Sequence, residues 1–133
     1  MASRQFNEWK DSNSRWVQLD IKYNPIAGGA GNPTNSVGDV KGSLTTITRT
    51  GAGLYTVVTK DPYFLSVGAR VAVQSPTATL GFATVANIVK AANGIMTLTF
   101  KVYSPLGVLA DANLTNGDAI FLQWVLQNTG RNQ

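Results

Sequence analysis

Residues Gly42–Thr59 read GSLTTITRTGAGLYTVVT. This stretch decides the fold class. Leu44 to Thr48 are β-forming residues, and Tyr55 to Thr59 resume the same pattern. Between them, Gly51-Ala52-Gly53 can supply positive-φ positions that side chains with a Cβ resist. The expectation is a strand, a tight turn and a second strand.

Further strands lie on both sides. Arg15–Tyr23, RWVQLDIKY, alternates Val17, Leu19, Ile21 and Tyr23 with Trp16, Gln18, Asp20 and Lys22. Asp61-Pro62 breaks the hairpin's second strand, and Tyr63-Phe64-Leu65 follow as an apolar plug. Ala69–Gln74 and Thr77–Val89 read as strands. Leu80 and Phe82 are expected on one face of the latter, Ala83 and Val85 on the other, and Gly81 hints at a bulge or a close contact. Asn93-Gly94 is a type I′ hairpin signal, and Ile95–Ser104 alternates Met96, Leu98, Phe100 and Val102 with Thr97, Thr99 and Lys101. The last strand, Ala119–Gln127, is apolar on both faces: Ile120, Leu122, Trp124 and Leu126 on one, Phe121 and Val125 on the other. A strand of that kind is covered on both sides, partly by another subunit or by the N-terminal segment.

No stretch carries a convincing helical period. Seven or eight short strands at 8–12-residue spacing predict an all-β domain, a single antiparallel β-sandwich or small barrel, jelly-roll-like, with an extended N-terminal arm. The predicted organisation is an arm over residues 1–14, a β-sandwich domain over 15–127 and a polar tail over 128–133. Within the domain, residues 24–39 (NPIAGGAGNPTNSVGD) read as one long Gly/Pro/Asn loop. Its glycines lack the Lys-Ser/Thr of a phosphate-binding loop.

Composition narrows the chemistry. The 133 residues contain no Cys and no His, and only seven acidic residues. That excludes disulfides, Cys-based metal sites and the usual Ser-His and Cys-His pairs. The reading is therefore not an enzyme, and it implies no cofactor. Asp111, Asn113, Asn116 and Asp118 superficially resemble a calcium loop, but the glycine and closing Glu of that motif are missing. The net charge is +4 with 14% charged residues, and the basic residues form no run. Specific nucleic-acid binding is not expected. The mild positive charge favours docking on an acidic surface. No apolar run approaches twenty residues, and the polar N-terminus lacks a signal-peptide centre, so neither a membrane partner nor export by that route is expected.

The N-terminal segment carries Phe6 and Trp9, three residues apart. Fully extended, fourteen residues reach about 45–50 Å, enough to cross a neighbouring subunit.

Several segments together resemble the auxiliary capsid proteins of tailed bacteriophages, the decoration or cement proteins. The resemblance lies in RQFNEWKDSNSRWVQLDIKY, the Gly/Pro/Asn-rich loop and ITRTGAGLYTVV, and continues through NGIMTLTFKVYS and AIFLQWVLQN. It implies a structural virion protein assembled in the host cytoplasm. Such a protein sits on the capsid exterior, binds the major capsid protein as a homodimer or homotrimer, and cements neighbouring subunits against internal pressure. No catalytic or metal-binding residue carries over. The candidate anchors against capsid or subunit are Phe6, Trp9, Trp16 and Trp124.

Three other readings compete. A head-fibre or tail module would bind a host receptor or glycan, with Asp111, Asn113 and Asn116 beside Tyr103. An OB-like barrel would bind single strands through Arg49, Lys60, Arg70 and Lys101. A carboxylate-only hydrolase would need two acidic residues to converge across a cleft.

Overall fold

A computed structural model describes residues 16–39 and 41–128. The predicted arm, with Phe6 and Trp9, and residues 129–133 of the tail lie outside the described residues. The described residues form eight strands and one short 3₁₀ turn, in order: β1 Trp16–Asn24, β2 Thr34–Val37, β3 Thr45–Gly51, β4 Leu54–Thr59, β5 Leu65–Gln74, β6 Phe82–Lys90, β7 Met96–Tyr103, the turn Leu114–Asn116, and β8 Ala119–Gln127. They form two antiparallel four-stranded sheets, ordered β2-β1-β8-β5 and β3-β4-β7-β6. This is a β-sandwich. Among the described residues no helix is long and apolar enough to cross a membrane.

The expected hairpin is present. β3 and β4 pair from Thr45↔Thr59 to Gly51↔Leu54, with a register shift between Arg49 and Gly51. Only Gly53 of the three turn residues has positive φ, at 69°. A Cβ there would also press on the Val102 oxygen and the Ala110 nitrogen, so both conformation and space demand glycine.

The core lies between the sheets, and strand alternation builds it. Met96, Leu98, Phe100 and Val102 of β7 are all buried, as are Ile120, Leu122, Trp124 and Leu126 of β8. Leu19, Ile21 and Tyr23 of β1 join them, facing Ile47, Tyr55 and Val57 of the other sheet. Tyr55 and Phe100 stack with centroids 5.2 Å apart. Alternation at period 2 separates the inward faces of β1 and β7 in the sequence, whereas β8, apolar on both sides, leaves the choice open.

Several local expectations are corrected. The 24–39 segment is not one loop: Thr34–Val37 pairs with Asn24–Lys22 as the sheet-edge strand β2. It is too short and polar to show a strand signal. The plug at 63–65 reduces to Tyr63, because Phe64 and Leu65 are exposed. β6 starts at Phe82, not Thr77, and Leu80 is buried while Phe82 is exposed, so the two do not share a face. Gly81 is a point of close approach, where a Cβ would meet the Pro105 backbone at 2.8 Å. The bulge in β6 lies between Val85 and Asn87 instead. At Asn93-Gly94 only Gly94 has positive φ, and its N–H donates to the Ala91 carbonyl. A type I′ turn needs positive φ at both central residues, so this is a different, longer turn.

Candidate interaction surfaces

Three buried or half-buried carboxylates organise the loops, and each is consumed by internal bonds. Asp39 is 4% exposed. It accepts from the Leu44 and Thr45 backbone N–H groups, the Thr45 hydroxyl and the Asn35 amide. Because the Thr45 hydroxyl donates to Asp39, the Tyr23 hydroxyl donates to Thr45 Oγ1 at 2.8 Å. Burial pushes the Tyr23 phenol well above its ordinary range, with the Asp39 charge adding to it against the Thr45 bond. Asp118 accepts from the Ser75 hydroxyl and the Asn113 N–H. Asn113 in turn caps the 3₁₀ turn at Thr115 N and holds Gly28 N.

Asp111 makes a two-pronged ion pair with Arg49, at 2.9 and 2.8 Å, and accepts from Gly53 N. Burial alone would raise the Asp111 carboxyl. The Arg49 and Gly53 bonds outweigh burial and hold it below its ordinary value. Its contribution to stability is therefore complete above the unfolded value of 3.8 and is lost as pH falls through the lower folded value. Asp111→Asn is expected to be less stable than wild type at neutral pH, with the gap closing at strongly acidic pH. Thermal melts across that range check this.

Beside this pair, the Tyr55 hydroxyl accepts the buried Ala112 N–H at 3.1 Å. Burial raises its phenol as well. Tyr55→Phe would strand that N–H, and a loss of about 1–3 kcal/mol is expected in urea unfolding.

These bonds bear on the residues named for the alternative chemistries: Asp111 and Asn113 spend their side-chain oxygens inside the fold, and Arg49 is held by Asp111. The Asp/Asn-rich stretch satisfies its own backbone and builds the loop.

Among the described residues, two of the exposed apolar surfaces are built on ordered backbone. The first is a knob. The segment Ser104–Leu109 folds back on itself through Gly107 N to Ser104 O, Ser104 N to Val108 O and Val108 N to the Ser104 hydroxyl. Leu109 then bridges to Tyr103. Tyr103 stacks on Phe82 at 4.8 Å. The Gly81–Pro105 approach and the Gly81 N–H bond to Tyr103 O fix the base. On this bonded frame Leu106 is 91% exposed and Val108 64%.

The second surface is the outer face of the β2-β1-β8-β5 sheet. Its middle strand presents Phe121, 38% exposed, followed by Gln123 and Val125. A groove of about 360 Å³ lies beside Phe121, bordered by Lys22, Val37, Arg70 and Ala72. A second of similar volume lies by Trp16, Val67, Gly68 and Val125. The opposite sheet contrasts sharply: its outer face is rich in threonine, with Thr48, Thr56 and Thr99 in one cross-strand row.

The sequence-derived anchors separate. Trp16 begins β1 at one end of the outer face and is half-buried. Trp124 is corrected. It is fully buried in the chain's own core, with its Nε1 donating to Ser66 Oγ at 3.0 Å, so it presents nothing to a neighbour. Phe121, on the other face of the same strand, takes the exposed position. Leu106 and Val108 were missed, although apolar residues between Pro105 and Asp111 in a turn region were a legible signal.

Comparisons with protein-family models, curated proteins and solved structures each return no significant match.

Proposed function

We propose that this chain is a structural virion protein that docks on the outer surface of a tailed-phage capsid and ties neighbouring major capsid proteins together. The observation that carries the reading is the Leu106–Val108 knob, large aliphatic side chains held out by a hydrogen-bonded turn. Exposed aliphatic side chains on a preordered turn lose little entropy on docking and gain by leaving water. The resemblance of the N-terminal, hairpin and closing-strand segments to cement proteins supplies the partner. The +4 charge suits an acidic shell. On a symmetric lattice, many weak contacts add through effective concentration, so each copy needs only a small footprint.

The test is co-sedimentation of purified protein with heads stripped of accessory proteins. Saturation at a fixed ratio to the major capsid protein supports the proposal. Failure to bind intact heads at any concentration would overturn it.

A further inference from the structure

We infer that the outer face of the β2-β1-β8-β5 sheet is a self-complementary surface that pairs with a second copy of this chain about a two-fold axis running along β8. The inference stands independently of the capsid reading. It rests on how the three central strands share out charge and size.

The registers place three cross-strand rows over the middle of this face, Lys22–Phe121–Ala72, Asp20–Gln123–Arg70 and Gln18–Val125–Gly68, with a fourth, Trp16–Gln127–Leu65, at its end. β8 is the midline. Every side chain on the β1 side has a counterpart one strand beyond the midline on β5. Two of the β5 residues are small, Ala72 and Gly68, where their β1 counterparts are long. Around Gly68 the space is open: a Cβ built there would meet nothing within 4 Å. In the middle row the two sides carry opposite charges.

Turning a second copy over about an axis along β8 brings its β5 row above the first copy's β1 row. Lys22 then lies over the partner's Ala72, and Gln18 over the partner's Gly68. Asp20 lies over the partner's Arg70, twice by symmetry. Phe121 meets the partner's Phe121 on the axis. Off the axis, the long Lys22 and Gln18 meet the short Ala72 and Gly68, and Asp20 and Arg70 each meet the opposite charge. The other in-plane axis, across the strands, would set Asp20 on Asp20 and Arg70 on Arg70, so the charges select the first. The offset of about −30° usual between packed sheets moves the charged groups only about 2–3 Å at one strand spacing from the axis, within reach of an Arg side chain.

Two further observations agree. Arg70 forms no ion pair with any described residue; the one such pair is Arg49–Asp111. Among the described residues the Asp20 carboxylate takes only the Gln18 amide, at 3.0 and 3.3 Å. Both keep capacity for a charge-assisted bond. The three strands that overlap, β1, β8 and β5, give a footprint of about 400–450 Å² per copy, in the range of weak, transient interfaces. Association in the micromolar range is therefore expected.

Sedimentation velocity on the full chain tests this. The wild type is expected to be a dimer at concentrations above the micromolar range. Arg70→Asp and Asp20→Arg should each weaken self-association about 100-fold or more, because like charges then meet twice. Mixing the two variants should restore a dimer, since one then carries two acidic and the other two basic groups at the crossing points. The doubly exchanged chain, D20R/R70D, should dimerise alone. Unchanged thermal melts for the variants would place the effect at the interface. A monomeric wild type, coverage of the face by the chain's own N-terminal residues included, overturns the inference. So does a trimer, a dimer indifferent to either reversal, or a mixture that stays monomeric.

Discussion

Replacing Trp124 by alanine is expected to lower the unfolding free energy by about 3–5 kcal/mol, the largest effect of any single substitution considered for the fold. Trp124 sits in the middle of β8, between Leu19 of β1 and Ala69 of β5 in one inward row. It is the largest fully buried side chain. Alanine would empty most of its volume, and a sandwich clamped by two sheets collapses poorly into such a void. The Ser66 hydroxyl would also lose its indole partner. Trp124→Phe keeps much of the ring and gives up mainly the bond, so a smaller loss of about 1–2 kcal/mol is expected. Urea unfolding followed by circular dichroism measures both. An alanine variant as stable as wild type would contradict the placement of Trp124 in the core and return it to the role of an assembly anchor.

The second large effect is expected on docking. Leu106→Glu with Val108→Glu should reduce occupancy on stripped heads about 100-fold while leaving unfolding within about 0.5 kcal/mol of wild type. Both side chains are exposed on a turn closed by backbone bonds, so the fold does not depend on them. A buried carboxylate at the contact would have to be desolvated without a partner, which is what makes the effect large. Undiminished occupancy would remove the knob from the docking surface.

The fold was legible because its strands follow strict alternation. Met96 to Val102 announced an inward face that the structure reproduces residue by residue. The tight turn at Ala52-Gly53 was legible from its glycine. β2 was not, because Thr34–Val37 owes its pairing to β1 and its anchoring to Asn35 reaching the Asp39 carboxylate, neither of which leaves a local pattern. Strand order was equally out of reach. It depends on which apolar faces meet across the chain, and alternation gives the face without naming the neighbour.

The surfaces were half legible. That β8 is apolar on both sides could be read directly, and Phe121 is accordingly exposed. Which of its two faces is internal could not be read, and the larger aromatic drew the anchor assignment to Trp124. The pairing of Asp20 with Arg70 across Gln123 was invisible for the same reason. It appears only once β1, β8 and β5 are placed side by side. The acidic loop residues show the opposite lesson. Asp111 and Asp118 could be taken for ligands in sequence, yet their partners, Arg49 and Ser75, lie 62 and 43 residues away and close the loops.

The most direct measurement is a cryo-electron microscopy comparison of stripped heads with and without added protein. New density is expected at regular lattice positions on the outer shell, fitted by this sandwich with Leu106 and Val108 against the major capsid protein. Density confined to the tail or a vertex, or an unchanged shell under saturating protein, would contradict it.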